Sequence, residues 1–343
     1  MRRDLLIKAA QGSSLLREEA REVGRDLAAG RTEPLLCAAF LTALSARGET
    51  AEELAGLAEA FRESVVTMTP FPQAVDTCGT GGDGRRTFNL STASALVAAT
   101  LGATVAKHGN RSVSSACGSA DVLEHAGIPI EGSPEDCEDR LLRLRFAFLF
   151  APRFHPAMAH VAAVRKALGV RTAFNLLGPL LNPAGARRQV VGVYDRSRAS
   201  LVAESLSVLG TDRAFVVHGA GGYDEVVLHG PISVIEVSGT SMATYELDHT
   251  HFGLPEGRPE DLAGGDAAHN FRILHDLLEG SGPAPLRDAV AAGTAIALKA
   301  AGLCEDLREG SGRAMEAIGS GRAGRFFHSL IESQHEVRRA QVS

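Results

Sequence analysis

The chain has 343 residues, of which 45% are hydrophobic and 22% are charged. These proportions are typical of a globular protein and exclude a disordered chain, which has too few apolar residues to form a core. A chain of this length is expected to form about two domains. Acidic residues outnumber basic ones by 41 to 35, which gives a formal net charge of −6, and Trp is absent. Both facts argue against binding to nucleic acid or to an anionic membrane surface.

The cysteines indicate reduced thiols and a cytoplasmic protein. They are five in number, widely spaced and without a C-x-x-C pair: Cys37, Cys78, Cys117, Cys137 and Cys304. This pattern is typical neither of a disulfide framework nor of a zinc site. The longest weakly polar stretch, residues 93–106, is too short and too rich in Gly and Thr to span a bilayer.

Residues 1–69 are predicted to form a small helical domain. Helices are expected at residues 5–10, 15–29, 35–46 and 51 to about 66. Gly30 is expected to end the second helix in the left-handed conformation. Thr50 and Glu53 form a capping box, in which each side chain binds a free backbone N–H at the start of the fourth helix. Pro70 and Pro72 then mark a boundary, because proline cannot continue a helix.

Residues 70–343 are predicted to form a larger α/β domain with a central, mostly parallel sheet flanked by helices. Short β-branched or aromatic runs alternate there with helical segments, which favours this architecture. A second capping box, at Ser133 and Asp136, marks one of those helices. The chain is expected to return to helix from Gly265. Strands are expected at residues 74–76, 103–106, 146–150, 190–194, 215–218, 226–228 and 233–237.

A glycine-rich loop follows the first expected strand and precedes a helix at about residues 91–101. Glycines allow tight turns, and the free N–H groups of a helix N-terminus attract phosphate. Gly79, Gly81 and Gly84 satisfy G-x-G-x-x-G, but no acidic residue follows about 20 positions later, as a dinucleotide site requires. The Lys–hydroxyl pair of a P-loop is also missing. The loop therefore indicates a different phosphate site, with a simple turn as the alternative.

Two further loops carry charged and polar groups. Residues 107–119 hold two cations, a His, an Asn and several hydroxyls, which suits a highly anionic ligand, although a polar surface loop is the alternative. Asp224 and Glu225 lie on a Gly-rich turn after an apolar strand. Paired carboxylates near phosphate sites are typical Mg²⁺ ligands, whereas a lone Asp–Glu pair is more often simply solvated.

A fourth feature is the helix that follows residues 150–156. Arg165 on this helix could bind a carboxylate with its planar guanidinium, and a solvated surface cation is the alternative. His155 and His160 are five positions apart, which is not the i, i+4 spacing of helical metal ligands, so neither is interpreted as a zinc ligand.

Five segments together resemble the anthranilate phosphoribosyltransferase family, over nearly the whole chain. They read GTGGDGRRTFNLSTASA, KHGNRSVSSACGSADVLEHAGI, FLFAPRFHPAM, VRKALGVRTAFNLLGPLLNPA and HGAGGYDE. The pair GTGGD and KHGNR, in this order and at this separation, is specific to the family. The resemblance implies transfer of the phosphoribosyl group from 5-phosphoribosyl 1-pyrophosphate (PRPP) to the amine of anthranilate, with Mg²⁺, in tryptophan synthesis. It also implies a homodimer formed through the helical domain, which the segment around residues 165–185 is expected to join, and substrates in the cleft beside the α/β domain.

The resemblance also assigns residues to roles. Lys107, Asn110 and Arg165 are implied in catalysis, and Gly79, Asn110 and Arg165 in binding anthranilate. Mg²⁺ is expected on Ser91, Asp224 and Glu225. PRPP is expected at Gly79, Gly82, Asp83, Thr87, Asn89, Leu90, Ser91, Thr92, Lys107, His108, Gly109, Asn110, Arg111, Ser112, Val113, Ser114, Ser115 and Ser119.

The expected chemistry is electrostatic and positional. Mg²⁺, Lys107, Arg111 and backbone N–H groups would stabilise the departing pyrophosphate, and the neutral aromatic amine needs no strong base. Two alternatives stay open: a related ribosyl transferase or phosphorylase with another acceptor, and a non-catalytic relative that binds nucleic acid. A dinucleotide-dependent oxidoreductase is excluded by the missing acidic residue.

Overall fold

The first four helices form a helical unit at the N-terminus of the chain. The computed structural model describes residues 2–112 and 116–342, with side chains described up to residue 333. Helices α1 (Arg3–Ala10), α2 (Arg17–Ala28), α3 (Pro34–Arg47) and α4 (Ala51–Arg62) contain no strand between them. Gly30 has a φ of 66° and ends α2 as expected. The Thr50–Glu53 capping box is also present, and the buried Glu53 carboxylate accepts a further bond from the Leu15 N–H at 2.8 Å.

The rest of the chain is built around one seven-stranded sheet with the order β3-β2-β1-β4-β5-β6-β7. The first five of these in spatial order are parallel, and β6 pairs antiparallel with both β5 and β7, which confirms the mostly parallel sheet. The strands are β1 (Val75–Gly79), β2 (Val105–Gly109), β3 (Phe146–Phe150), β4 (Arg188–Gly192), β5 (Arg213–His218), β6 (Ile232–Ser238) and β7 (Ser241–Leu247).

Helices cover both faces of this sheet, so the predicted α/β fold class is confirmed. Between the strands lie α5 (Leu90–Thr100), α6 (Ser119–His125), α7 (Pro134–Leu144), α8 (Ala151–Phe154), α9 (Ala159–Leu168), α10 (Phe174–Leu177) and α11 (Arg196–Val208). The C-terminal part is helical, as expected, with α12 (Ala267–Leu278), α13 (Ala284–Ala301), α14 (Leu307–Gly319) and α15 (Arg322–Val342). Within the described ranges, no helix is long and apolar enough to cross a membrane.

The hydrophobic cores lie on opposite sides of the sheet. One core joins β-strand residues such as Phe148 and Phe215 to α5, α12, α13 and α14. The other joins the helical unit to residues 157–181, to α11 and to the opposite side chains of β4 and β5. The helical unit therefore shares its core with the segment around α9 and α10, while the division of the chain at residues 69 and 70 stays a prediction.

One strand prediction was wrong, and one strand was not predicted. Residues 226–228 form no strand, because this apolar run lies buried in the loop between β5 and β6. β7 was not expected, because Met242 and Ala243 are adjacent and its apolar residues show no regular alternation. Its first four residues are exposed in the structure. Helix α4 also ends at Arg62, four residues before the expected end.

Candidate active site

The three polar loops meet at one edge of the sheet. The strands β2, β1, β4 and β5 are parallel neighbours, so the loops after Gly79, Gly109 and His218 all leave from their carboxyl ends. β1 lies between β2 and β4, which makes this the point where the order of strands reverses. Ligands of open α/β sheets bind beside such a switch point. The fold alone therefore predicts a binding site between these loops.

Two glycines bring the acidic turn close to the sheet edge. Gly79 and Gly192 are paired in register at the ends of β1 and β4. A Cβ atom on Gly192 would lie 1.7 Å from the backbone oxygen of Asp224, and one on Gly79 would lie 3.0 Å from its Oδ2. Only glycine at position 192 permits this approach. The Asp224–Glu225 pair is thus held against the strands by backbone packing.

Both carboxylates of that pair accept hydrogen bonds from the glycine-rich segment. The Gly81 N–H donates to Asp224 Oδ2 at 2.8 Å, and the Ser91 N–H at the start of α5 donates to Glu225 Oε1 at 3.3 Å. These bonds join residues more than 130 positions apart. They place Gly81, Ser91, Asp224 and Glu225 in one cluster.

Asp224, Glu225 and the nearby Asp83 form an acidic cluster that is electrostatically suited to a divalent cation. Burial, followed by the nearby Asp83 carboxylate, raises the pKa of Asp224 to about 7. Burial, followed by Asp224, raises the pKa of Glu225 to about 8. Asp83 Oδ2 is itself buried and has no hydrogen-bond partner in the described structure. Buried like charges resist ionisation until a cation compensates them, and oxygen donors of this kind fit Mg²⁺.

Lys107 is buried close to Glu225 of this cluster. Its side chain is 2% exposed, and its Nζ donates to the backbone oxygen of Thr77 and, at 3.4 Å, to Thr77 Oγ1. Burial lowers the pKa of Lys107, while the carboxylates of Asp76 and Glu225 oppose this effect. The Thr77 hydroxyl in turn donates to the Ser91 backbone oxygen at 3.1 Å. Lys107 thus contributes positive charge from below and supports the start of α5.

The described residues of the second loop, 107–112 and 116–119, bond to one another and to α6. The Asn110 side chain accepts a bond from the Arg111 N–H at 2.7 Å, and the Ser112 N–H donates to Asp121 at 3.0 Å. Arg111 pairs with Glu124 and Asp121 of α6 instead of facing the acidic cluster. The Ser119 hydroxyl donates to the Asn110 backbone oxygen at 3.5 Å. Val113, Ser114 and Ser115 lie outside the described residues.

The remaining residues expected at PRPP lie around the start of α5. Thr87 pairs with Ala263 through a single β-bridge, Leu90 begins α5, and Thr92 Oγ1 is buried without a hydrogen-bond partner in the described structure. Asn89 donates to the backbone oxygen of Cys117 at 3.2 Å and accepts from the buried Asn270 at 2.9 Å. Sequence reasoning missed Asn270, because a single Asn inside a helical pattern carries no local signal.

A second buried polar region lies beside the ends of β2 and β3. The His108 and His155 rings are 5.1 Å apart, and both are buried. Burial lowers the pKa of His108 to about 3 and that of His155 to about 4. The backbone N–H of His108 donates to Asp76 Oδ1 at 3.0 Å, and burial raises the pKa of Asp76 to about 6. Both imidazoles are therefore neutral near pH 7.

Arg165 and Arg171 are two cations in the segment around α9 and α10, which packs against the helical unit. The Arg165 guanidinium lies 5.6 Å from the centre of the Phe174 ring, and burial lowers its pKa. In the part of the chain that the structure describes, it forms no ion pair. Arg171, which the sequence analysis did not identify, donates to the Gly82 backbone oxygen and stacks 3.5 Å from the centre of the Tyr194 ring. The Ser45 hydroxyl donates to the Arg171 backbone oxygen at 3.0 Å, which links the helical unit to the glycine-rich loop.

Family models match both parts of the chain. Residues 3–65 match the helical bundle domain of a glycosyl transferase family, and residues 71–324 match its a/b domain. The anthranilate phosphoribosyltransferase of Desulfosudis oleivorans is 45% identical over 95% of this chain and 97% of its own length. That of Anaeromyxobacter dehalogenans is 47% identical over 95% and 96%.

Solved structures agree with these relatives. The anthranilate phosphoribosyltransferase of Thermus thermophilus has a TM-score of 0.91 and 45% identity, covering 96% of this chain and 98% of its own. The Saccharomyces cerevisiae enzyme in complex with PRPP and Mg has a TM-score of 0.88 and 29% identity, covering 97% and 98%. The same yeast enzyme has also been solved with 4-fluoroanthranilate, with a TM-score of 0.85, 29% identity and coverage of 96% and 98%.

Proposed function

The chain belongs to the anthranilate phosphoribosyltransferase family, and from this membership we propose that it transfers the 5-phosphoribosyl group of PRPP to anthranilate. The amine nitrogen forms a bond to C1 of the ribose, the bond from C1 to the pyrophosphate oxygen breaks, and the amine loses a proton. N-(5-phosphoribosyl)anthranilate and pyrophosphate leave, in the second step of tryptophan synthesis from chorismate. The observation that carries this function is about 45% identity to such enzymes along 95% of the chain.

The PRPP half of the site is proposed to be the edge where the loops after β1, β2 and β5 meet. Gly79, Gly82, Thr87 and the residues from Asn89 to Thr92 offer backbone N–H groups and side chains at the start of α5. Residues 107–112 and Ser119 of the second loop are proposed to line the PRPP site, and the buried Lys107 adds positive charge to it. The burial of Lys107 supports this role, because a charge in a low-dielectric site acts strongly on a developing negative charge.

Mg²⁺ is proposed to be held by Ser91, Asp224 and Glu225, with the Asp83 carboxylate beside them, whose buried Oδ2 has no hydrogen-bond partner among the described residues. When bound, the ion supplies positive charge toward the departing pyrophosphate. The chain's own part is to keep the carboxylates close together and desolvated, through the Gly81 and Ser91 N–H groups. The raised pKa values of Asp224 and Glu225 support this assignment, since a cation relieves their mutual repulsion.

Anthranilate is proposed to lie between Gly79, Asn110 and Arg165. Arg165 forms no ion pair within the described ranges and is half-buried, so an anionic ligand would gain a strong, partly desolvated partner. Asn110 is proposed to align the amine toward C1 of the ribose. Orientation of two bound reactants accounts for much of the rate in such a reaction.

The protein is further proposed to be a cytoplasmic homodimer that associates through the helical unit. Large apolar side chains of that unit are exposed, with Leu16 at 68% and Leu35 at 82%. Light scattering coupled to gel filtration tests the oligomer, and replacing Leu35 with Glu is expected to yield monomers. A parent protein that elutes as a monomer at micromolar concentration would contradict this proposal.

A fluorescence assay tests the function. Loss of anthranilate emission is followed with protein, PRPP and Mg²⁺, and with PRPP or Mg²⁺ omitted in turn. Loss that requires both is the expected result. No loss from folded protein that binds PRPP would reject anthranilate as the acceptor, and other amines and nucleobases would then be screened.

A further inference from the structure

Three side chains suited to metal ligation converge on the surface between α12 and α15. His275 and Glu279 lie one turn apart, within α12 and at its C-terminal end, and His328 projects from α15. Their ligand atoms all lie within 4.8 Å of one another. His328 Nε2 is 2.8 Å from Glu279 Oε1. The i, i+4 spacing places two of these groups on one helix face, and the third comes from the neighbouring helix.

The backbone of α15 makes room for this cluster. A Cβ atom on Gly324 would lie 2.5 Å from Glu279 Oε1 and 2.8 Å from its Cδ atom. Gly324 is one turn before His328 on the same helix. Glycine weakens a helix interior relative to alanine, yet here it lets the carboxylate lie directly against α15. Gly324 therefore allows the Glu279 carboxylate to lie closer to α15 than a larger residue at this position would.

The cluster is also oriented and open to solvent. His275 Nδ1 is 3.3 Å from Asp276 Oδ1, which leaves Nε2 of that ring free to face a ligand. A carboxylate on the second ring nitrogen is the usual partner of a metal-binding histidine. The side chains of His275, Glu279 and His328 are 41%, 37% and 51% exposed, so an ion from solution can reach them.

We propose that His275, Glu279 and His328 bind one Zn²⁺ ion, which fastens α12 to α15. Two imidazoles and one carboxylate are a zinc ligand set, and water completes the fourth position of such sites. Mg²⁺ prefers oxygen donors, so this site is chemically distinct from the acidic cluster at the sheet edge. Since Asn270 on α12 holds Asn89, the ion would also anchor a helix that supports the start of α5.

Cobalt absorption tests the site, because tetrahedral Co²⁺ with nitrogen ligands has strong visible bands. The full chain is stripped of metal, excess Mg²⁺ is added to occupy the acidic cluster, and Co²⁺ is titrated. The parent is expected to bind one Co²⁺ that Zn²⁺ displaces. H275A and H328A are expected to weaken binding by about tenfold or more. H269A is the matched control, since His269 is an exposed histidine on the same helix outside the cluster.

Two further variants separate ligation from loss of packing. H328Q keeps most of the side-chain volume without the imidazole, and G324A displaces the Glu279 carboxylate without removing a ligand. Both are expected to weaken Co²⁺ binding while circular dichroism and Mg²⁺-dependent turnover stay at parent values. Zn²⁺ is expected to raise the melting temperature of the parent and H269A only, because binding to the folded state stabilises it. Equal Co²⁺ binding by H328Q and the parent, or equal loss in H269A, would overturn the proposal.

Discussion

Arg165 is a partly buried cation on α9. The sequence predicts a cation on a helix near the site, which by itself is more often a solvated surface charge. The structure adds that its guanidinium contacts the Phe174 ring and that burial lowers its pKa. A half-buried arginine with no ion pair in the described chain has lost hydration without gaining an acidic partner. That combination favours an anionic ligand.

R165A is therefore expected to raise the KM for anthranilate by one to two orders of magnitude, with little change in the KM for PRPP. This size follows from the loss of a charge-assisted hydrogen bond, which contributes about 1–3 kcal/mol. Initial rates measured against each substrate at saturating levels of the other test this. K166A is the matched control, since Lys166 is an exposed cation at the next position of α9. Equal increases in both KM values would show that Arg165 does not recognise the acceptor.

The buried histidines set an acid limit on stability. The pKa of His155 is lowered to about 4 by burial, with a further contribution from the nearby Arg62. An unfolded histidine titrates near 6.5, so the unfolded state binds more protons between these values. The contribution of His155 to the free energy of unfolding is thus present above pH 6.5 and is lost as the pH falls toward 4.

H155L is expected to lose less stability than the parent between pH 6.5 and 4.5, by on the order of 1 kcal/mol for each unit of pH. The comparison between variants isolates His155 from the carboxylates, whose raised pKa values act in the opposite direction over the same range. Urea unfolding at several pH values measures it, with H160L as the control because His160 is exposed. Parallel pH profiles for H155L and the parent would contradict the assignment.

At the scale of elements, the pairing of β1 with β4 decides where the acidic turn can lie. Gly79 and Gly192 are neighbours in this pairing, and the backbone of Asp224 occupies the space where a side chain at position 192 would be. The wrongly expected strand at residues 226–228 belongs to the same region. Its apolar side chains are buried because the loop folds back onto the sheet, not because it pairs with a strand.

G192A is expected to displace the Asp224–Glu225 turn, because the new Cβ would lie 1.7 Å from the Asp224 backbone oxygen. We expect destabilisation of about 1–3 kcal/mol from overpacking. We also expect Mg²⁺-dependent turnover to fall at temperatures where the variant is still folded. Thermal unfolding and the fluorescence assay measure the two effects. G312A is the control, since nothing lies within 4 Å of a Cβ there on α14. Parent-like turnover in G192A would show that the turn does not need this glycine.

At the scale of the whole molecule, the acidic cluster depends on two distant parts of the chain meeting at the sheet edge. Its ionised form is destabilising without a cation, because burial and mutual repulsion raise both pKa values. The carboxylates therefore lower the stability of the metal-free fold as the pH rises from about 4, where they ionise in the unfolded chain, and the loss is complete once the pH has passed 7 to 8, where they ionise in the folded chain. Such a site exchanges stability for affinity toward a cation.

The double variant D224N/E225Q is expected to require at least about tenfold more Mg²⁺ for half-maximal turnover, because two charged ligands are lost. In EDTA at pH 8.5, its free energy of unfolding is expected to equal or exceed that of the parent, since the buried charges are gone. E135Q/D139N removes the same charge from exposed positions on α7 and serves as the control. An unchanged Mg²⁺ titration in D224N/E225Q would rule out these ligands.

Much of this protein follows from its sequence alone. Local patterns predicted the helical N-terminus, the Thr50–Glu53 capping box, most of the strands and the polar loops that follow them. The ordered motifs indicated the family, and the adjacent pair Asp224–Glu225 indicated a cation site. These signals are readable because each depends on residues close together in the chain, where helix caps, turns and strand alternation are decided.

Only the tertiary structure decided which distant residues meet. Asn270 reaches Asn89 across 181 positions, and Arg171 reaches Gly82 across 89. Arg111 pairs with Glu124 of α6, a contact that no local pattern announced, and its role at the phosphate site stays a prediction. The largely exposed strand β7 likewise gains its place from pairing with β6. No local pattern encodes such partners, because they are chosen by how the layers pack and which faces are buried.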